Sequence, residues 1–299
     1  MKIVQVLMST YNGEKYLKEQ IDSILLQEGV NVNLLVRDDG SSDNTIEILD
    51  EYKKQGKLDW YKGENLRSAK SFMDLLKHCG RYDYFAFSDQ DDVWKKEKLC
   101  TAIKKIEQVN EEKPILYFCD KELVDANLNH LEHKKMNYIV SFESAMIRNI
   151  ATGCTMVMNK ALVDLINSYS PDYIVMHDAW IYRVCIAIGG ICIYDTEEHI
   201  EYRQHENNVI GAQEGFFNRL KRRWKSFWNC DHSREKTSNE LLKGYSKYIK
   251  HEYLEDLEQI AKYRKSFKHK VKLFFNKKMK TESLENNIIF KIAVLINKI

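Results

Sequence analysis

Three carboxylates within four positions, Asp89-Gln90-Asp91-Asp92, follow directly on the aromatic run Tyr84-Phe85-Ala86-Phe87. So dense a cluster repels itself unless something neutralises it. A hard divalent cation such as Mg2+ or Mn2+, shared between one or two carboxylates and phosphate oxygens, is the usual solution. The same residues also suit an acidic turn in which Asp91 or Asp92 caps a helix beginning near Lys95. A second polar group, Asp38-Asp39-Gly40-Ser41-Ser42-Asp43, ends the apolar run Val32–Arg37. A carboxylate there can accept the imide N–H of a uracil or thymine ring, with Tyr11 of Ser9-Thr10-Tyr11-Asn12-Gly13 packing on the base. A plain turn with a helix N-cap is the alternative.

These residues need elements to position them. Short β-rich runs alternate with runs of helical period over the first two hundred residues, which predicts an α/β sheet with helices on its faces. Strands are expected at 3–8, 32–37, 84–88, 115–119, 154–158 and 191–194. The spacing predicts helices at 14–27, 69–78, 96–109, 160–168 and 177–188, and a further one capped by Ser42-Asp43 that buries Ile46 and Leu49. Ligands of open α/β sheets bind beyond the carboxyl ends of the strands. Polar and acidic residues gather at three such ends.

Size and composition fit this plan. With 299 residues, 44% of them hydrophobic, the chain can bury a large core, and with only two prolines it is not linker-rich. No apolar stretch reaches the roughly 18 residues of a spanning helix. Seven cysteines form no CxxC pair and sit in apolar runs, which suits buried thiols in the cytosol. No GxGxxG, GxxxxGK[ST], HExxH or GxSxG occurs, so dinucleotide oxidoreductase, P-loop kinase, zinc protease and serine hydrolase readings lose their main support.

Taken in order, Ser9 to Gly13, the helix Tyr16-Leu17 to Ser23-Ile24-Leu25 with Gln27, Asp38 to Asp43 and Asp89 to Asp92 resemble the family 2 glycosyltransferases of the GT-A fold. The likeness covers residues 1–210, the expected catalytic domain. Ser88 to Trp94, His177-Asp178-Ala179-Trp180 and Tyr202-Arg203-Gln204-His205 are most similar to bacterial rhamnosyltransferases of surface polysaccharide synthesis. The resemblance implies Ser9, Tyr11 and Asp39 at the nucleoside, Asp89 at the ribose and Asp91 at the metal, with His205 completing the metal site or touching the diphosphate. It implies Asp178 as general base, at the start of an apolar helix whose dipole favours a carboxylate; a capping role is the alternative. In Asn65 to Phe72 it brings Asn65 and the basic Lys70 toward the nucleotide, although relatives often have Gly where this chain has Arg67. Gly153-Cys154-Thr155 matches a region lining the sugars, or serves a tight turn.

The activity implied is metal-dependent inverting transfer to a saccharide acceptor, lipid-linked by preference. The donor implied is dTDP-rhamnose, with a UDP-sugar as the alternative. A non-catalytic glycan-binding scaffold of the same fold is the alternative from another class. Charge divides the chain: residues 1–210 carry 25 Lys and Arg against 34 Asp and Glu (net −9), residues 211–299 carry 21 against 10 (net +11). The second part is expected to be a basic helical extension. Its segment 216–228 puts six large apolar residues near one helical face among Arg and Lys, the composition of a helix lying on an anionic membrane surface or docked on the catalytic domain. No nucleic-acid-binding motif accompanies it.

Overall fold

The computed structural model describes residues 1–109, 112–132, 135–204 and 231–299. The strands are β1 (Lys2–Thr10), β2 (Val30–Asp38), β3 (Asp59–Lys62), β4 (Tyr84–Ser88), β5 (Val93–Trp94), β6 (Ile115–Val124), β7 (Val157–Asn159) and β8 (Ile191–Arg203). They form one sheet in the order β3-β2-β1-β4-β7-β6-β8-β5. β1 lies parallel to β2 and β4, and β2 to β3. The polar loops after β1, β2 and β4 are therefore released side by side at one edge. β7 runs antiparallel between β4 and β6, and β6 lies parallel to β8.

The helices are α1 (Leu17–Leu25), α2 (Thr45–Lys54), α3 (Arg67–His78), α4 (Lys98–Glu107), α5 (Phe142–Ile147), α6 (Lys160–Asn167), α7 (His177–Ala187), α8 (Ser233–Tyr245), α9 (His251–Lys262), α10 (Phe267–Phe275) and α11 (Leu284–Leu295). Strand alternation sorts the core between the two faces. Val4, Val6 and Met8 of β1 meet Leu17, Ile21 and Ile24 of α1 and Leu99 and Ile103 of α4. Leu7, pointing the other way, joins Phe72, Leu75 and Leu76 of α3 and Trp180 and Ile181 of α7. That second cluster continues into Leu241, Tyr245, Leu257, Ile260 and Phe290, so α8, α9 and α11 are packed onto the face that carries α7. Among the described residues no helix is long and apolar enough to cross a membrane.

Every strand and helix placed from the sequence has a counterpart, with instructive differences. The run 154–158 is split: Gly153–Thr155 is a 3-10 turn, and only Val157–Asn159 pairs as a strand. In α2, Ile48 and Leu49 are buried and Ile46 is half-buried. β8 runs on past Tyr194 to Arg203 because two irregularities in its pairing with β6, around Asp120, absorb the polar Asp195-Thr196-Glu197-Glu198. β3, β5 and α5 were not foreseen: β3 is a short polar edge strand and β5 has two residues. His205 and the segment 216–228 lie outside the described residues.

Candidate active site

The three polar strand ends are bolted to one another. Gln90 accepts from the Tyr11 amide at 2.9 Å and donates back to its carbonyl at 3.1 Å, tying the loop after β4 to the end of β1. A Cβ at Gly13 would lie 2.4 Å from the Gln90 carboxamide oxygen, so this clamp requires glycine there. Asn12, in the left-handed region at φ 48°, accepts from the Ser42 amide at 2.9 Å, and its own amide donates to the Ser41 hydroxyl at 2.9 Å. Asp38 is wholly buried and accepts from the Gly40 and Ser41 amides at 3.0 Å each. It organises the turn, and its neighbour Asp39, itself buried, borders the cleft described below.

Asp39 is held by a residue that pattern reading passed over. Arg37, 2% exposed, pairs with Asp39, donates to Asp74 at 2.9 Å and to the Ser71 hydroxyl at 3.2 Å, and reaches the Glu64 carbonyl at 3.0 Å. Ser71 also donates to Asp39. A buried carboxylate with an arginine and a hydroxyl on it keeps one orientation.

A cavity of about 420 Å³ opens where these loops meet, and Ser9, Tyr11, Asp39, Asp89, Asp91 and Asp178 all line it. Tyr11 is 49% exposed at the cavity wall, which leaves its ring available to a flat ligand. Of the expected site residues in the described part of the chain, Lys70 alone does not line it: it is exposed on α3. Asn65 and Arg67 do line it. Arg67 has φ 62°, the left-handed conformation that glycine adopts at no steric cost. The position is one that glycine takes at no steric cost, and here arginine occupies it.

Around the acidic motif, Asp89 is pushed up to about 7, by burial first and then by the charges of Asp91 and Asp178. Asp92 is raised well above the carboxylate range by burial and by Asp91 and Asp89. One Asp92 oxygen accepts from the Arg203 amide at 3.1 Å, while the other is buried with no hydrogen-bond partner. Ligand atoms of Asp89, Asp92 and Cys154 lie within 4.8 Å of one another. This donor set fits a hard divalent cation, which would meet the orphaned oxygen and relieve the mutual repulsion. Burial and the two aspartates push the Cys154 thiol well up, and a hard cation prefers the carboxylate oxygens to its sulfur. Asp91 lines the same cavity outside that trio. Arg203 braces the loop, donating to the Asp91 carbonyl at 2.8 Å and pairing with Glu19.

The far wall is the start of α7. Asp178 is 8% exposed and faces both the Asp89 side and a second cavity. His177 beside it is buried, stacked 4.0 Å from Phe72 between ring centroids, and neither ring nitrogen has a hydrogen-bond partner. Burial holds it down to about 4, so it is a neutral imidazole lining the cleft. The glycine of Gly153-Cys154-Thr155 is explained by this histidine, since a Cβ there would lie 2.5 Å from its Nε2.

Comparison with known proteins shows the family and the fold. Residues 5–166 match the family described as Glycosyl transferase family 2. The chain belongs to that family. It is 31% identical to the dTDP-rhamnosyl transferase RfbG of Shigella flexneri over 237 residues, 72% of this chain and 77% of that protein. It is 27% identical to the UDP-Glc:alpha-D-GlcNAc-diphosphoundecaprenol beta-1,3-glucosyltransferase WfgD of Escherichia coli, over 74% of this chain and 84% of that one. Among solved structures, S. aureus TarS 1-349 in complex with UDP-GlcNAc aligns over 100% of this chain and 93% of its own, with a TM-score of 0.56 at 17% identity. The mannosyltransferase PcManGT from Pyrobaculum calidifontis, in complex with GDP-Man and Mn2+, gives 0.55 at 15% identity over 98% and 74%. These two share the fold. This family 2 glycosyltransferase has the expected GT-A architecture and resembles the rhamnosyltransferases.

Proposed function

We propose that the chain moves a sugar, with inversion at the anomeric carbon, from a nucleoside diphosphate sugar to a saccharide hydroxyl in bacterial surface polysaccharide synthesis. The observation that carries this is the gathering of Ser9, Tyr11, Asp39, Asp89, Asp91 and Asp178 around one cleft. In this reading Tyr11 packs on the base, Asp39 accepts its imide N–H and Asp89 meets the ribose. Asp91, with Asp89 and Asp92 beside it, holds Mg2+ or Mn2+, which when bound neutralises charge on the leaving diphosphate. Asp178 takes the proton of the acceptor hydroxyl as the new oxygen–carbon bond forms. The old anomeric carbon–oxygen bond breaks in the same step, and its electron pair leaves with the diphosphate. One carboxylate on the face opposite the leaving group gives one displacement and hence inversion.

The likeness to RfbG favours dTDP-rhamnose as donor, and the likeness to WfgD supports a UDP-sugar as the second reading and a lipid-linked acceptor. A panel of dTDP- and UDP-sugars with Mg2+ or Mn2+, scored for released nucleotide, tests this. Release is expected fastest from dTDP-rhamnose. Release from a UDP-sugar alone moves the assignment to the second reading, and binding without release from any donor supports the scaffold.

We further place the protein on the cytosolic face of the membrane, attached peripherally. The six described cysteines are free. Besides the basic aromatic segment 216–228, α10 and α11 leave Phe267, Phe275, Leu284 and Ile288 exposed near a run of lysines. Co-sedimentation with anionic but not zwitterionic vesicles, lost at high salt, is the expected result.

A further inference from the structure

Three cations near the acidic loops are engaged by the protein itself. Arg37 is turned inward onto Asp39 and Asp74. Arg203 braces the Asp91 carbonyl and pairs with Glu19. Lys121 donates to the Thr152 hydroxyl at 3.1 Å and stands 4.1 Å from the centroid of the Tyr202 ring. Arg67 differs. It is exposed, and its guanidinium makes no hydrogen bond or ion pair with the described residues. Among the described residues it is the one Lys or Arg that lines the cleft, where Asp39, Asp89, Asp91 and Asp178 stand.

Two local features disfavour an arginine at this position. Its φ of 62° lies where glycine is unstrained and a residue with a side chain is not. It is also the first residue of α3, so its charge stands at the positive end of the helix, and neither a carboxylate in that first turn nor a side-chain cap offsets it. Glycine would remove both penalties, and an anion on the guanidinium would turn the second into an attraction. Arg67 stands one helical turn before Ser71, whose hydroxyl donates to Asp39, so it reaches the cleft from the element that helps hold that carboxylate. What the four carboxylates repel, a guanidinium attracts. Its parallel N–H groups match two oxygens of a phosphate or diphosphate, whereas the base and the sugars of a nucleotide sugar offer it neutral groups.

We propose that Arg67 binds the diphosphate of the donor directly, as a second cation beside the metal, and holds the nucleotide by its charge even where the metal is absent. The inference rests on the nucleotide-sugar reading of the cleft and adds to it a charged contact that relatives with glycine at this position lack.

The test is calorimetric titration of the whole chain at low salt with dTDP, UDP, thymidine and uridine, with Mg2+ and again in EDTA. Arg67→Gly is expected to lose about tenfold or more in affinity for dTDP or UDP under both conditions, the size of a charge-assisted hydrogen bond, and to bind thymidine and uridine as the parent does. Arg67→Lys keeps the charge without the fork and is expected to recover part of the loss. On the parent chain, dTDP but not thymidine should protect Arg67 from phenylglyoxal in peptide mass spectra, a reading that needs no variant to fold. Unchanged diphosphate affinity in Arg67→Gly, no recovery by lysine, or an unprotected Arg67 overturns the proposal. A loss shared equally by the nucleosides overturns it as well, since it would put the guanidinium on the base. If the parent binds neither dTDP nor UDP with Mg2+, the donor reading falls and this inference with it. If the parent binds them and Arg67→Gly binds them equally well, the part of Arg67 alone falls.

Discussion

The two cavities on either side of Asp178 are built from opposite charges. On the side proposed for the nucleotide, Asp39, Asp89, Asp91 and Asp178 line the wall with Arg67, Asp92 is buried behind them, and Arg37 is turned inward to hold Asp39. The other side presents Lys121, Arg183 and Arg234. A diphosphate is itself anionic, so a wall of carboxylates can hold one only through a cation; a guanidinium wall takes an oxyanion directly. In the function proposed above, it is the acidic side of Asp178 that calls for a cation.

The largest break in that contrast is expected from Asp91→Ala. Turnover should fall to the metal-free background at any Mg2+ or Mn2+ concentration, and normal turnover at saturating metal would remove Asp91 from the metal site. Next, Asp178→Asn should lose about 10²-fold or more in transfer while nucleotide affinity stays within about twofold. Near-normal transfer would leave Asp178 as a helix cap. Asp39→Asn keeps the shape and removes the charge, and should weaken nucleotide binding by about tenfold or more, the size of a charge-assisted hydrogen bond. A loss confined to kcat would contradict a contact with the base.

The pH response sharpens the comparison further. Asp89 sits near 7 in the folded chain against an ordinary 3.8. A raised carboxyl favours the metal-free fold below about 4, and this contribution is lost as pH rises through 7. Metal binding needs the carboxylate, so metal affinity should fall about tenfold per pH unit below 7, measured by calorimetry; a flat profile would refute the assignment. The smallest effect on stability is expected for Arg67→Gly. Relief of a left-handed non-glycine residue, about 1 kcal/mol, is offset by the greater unfolded-state freedom of glycine, and melting should move by only a degree or two.

Much of this was legible in the sequence because it is local. The runs after β1, β2 and β4 announce their loops, and the apolar periodicity after His177 announces α7. What was hidden depends on contacts between distant segments. Arg37 reads as the end of a strand, yet Asp74, 37 positions on, and Glu64 make it the anchor of Asp39. Gly153 needs to be glycine only because His177, 24 positions later, lies against it. Arg183 is an interruption in an apolar helix until Arg234, 51 positions on, is found lining the same cavity. Lys70 illustrates the opposite error: Ser68 and Phe72 of α3 line the cleft, and Lys70, midway between them, falls on the other side of the helix and is exposed.

The packing of α7 also sets a timetable for the newborn chain. Trp180 stands 6.0 Å from Tyr245 between ring centroids, and Leu257, Ile260 and Tyr263 close the same apolar cluster. A ribosome making about 5 to 20 residues per second reaches residue 263 roughly 4 to 15 s after it finishes α7. Until then the helix bearing Asp178 lacks its backing. The nascent polypeptide can complete the loops after β1, β2 and β4 while the segment bearing Asp178 is still without its backing, so the cleft is whole only late in translation.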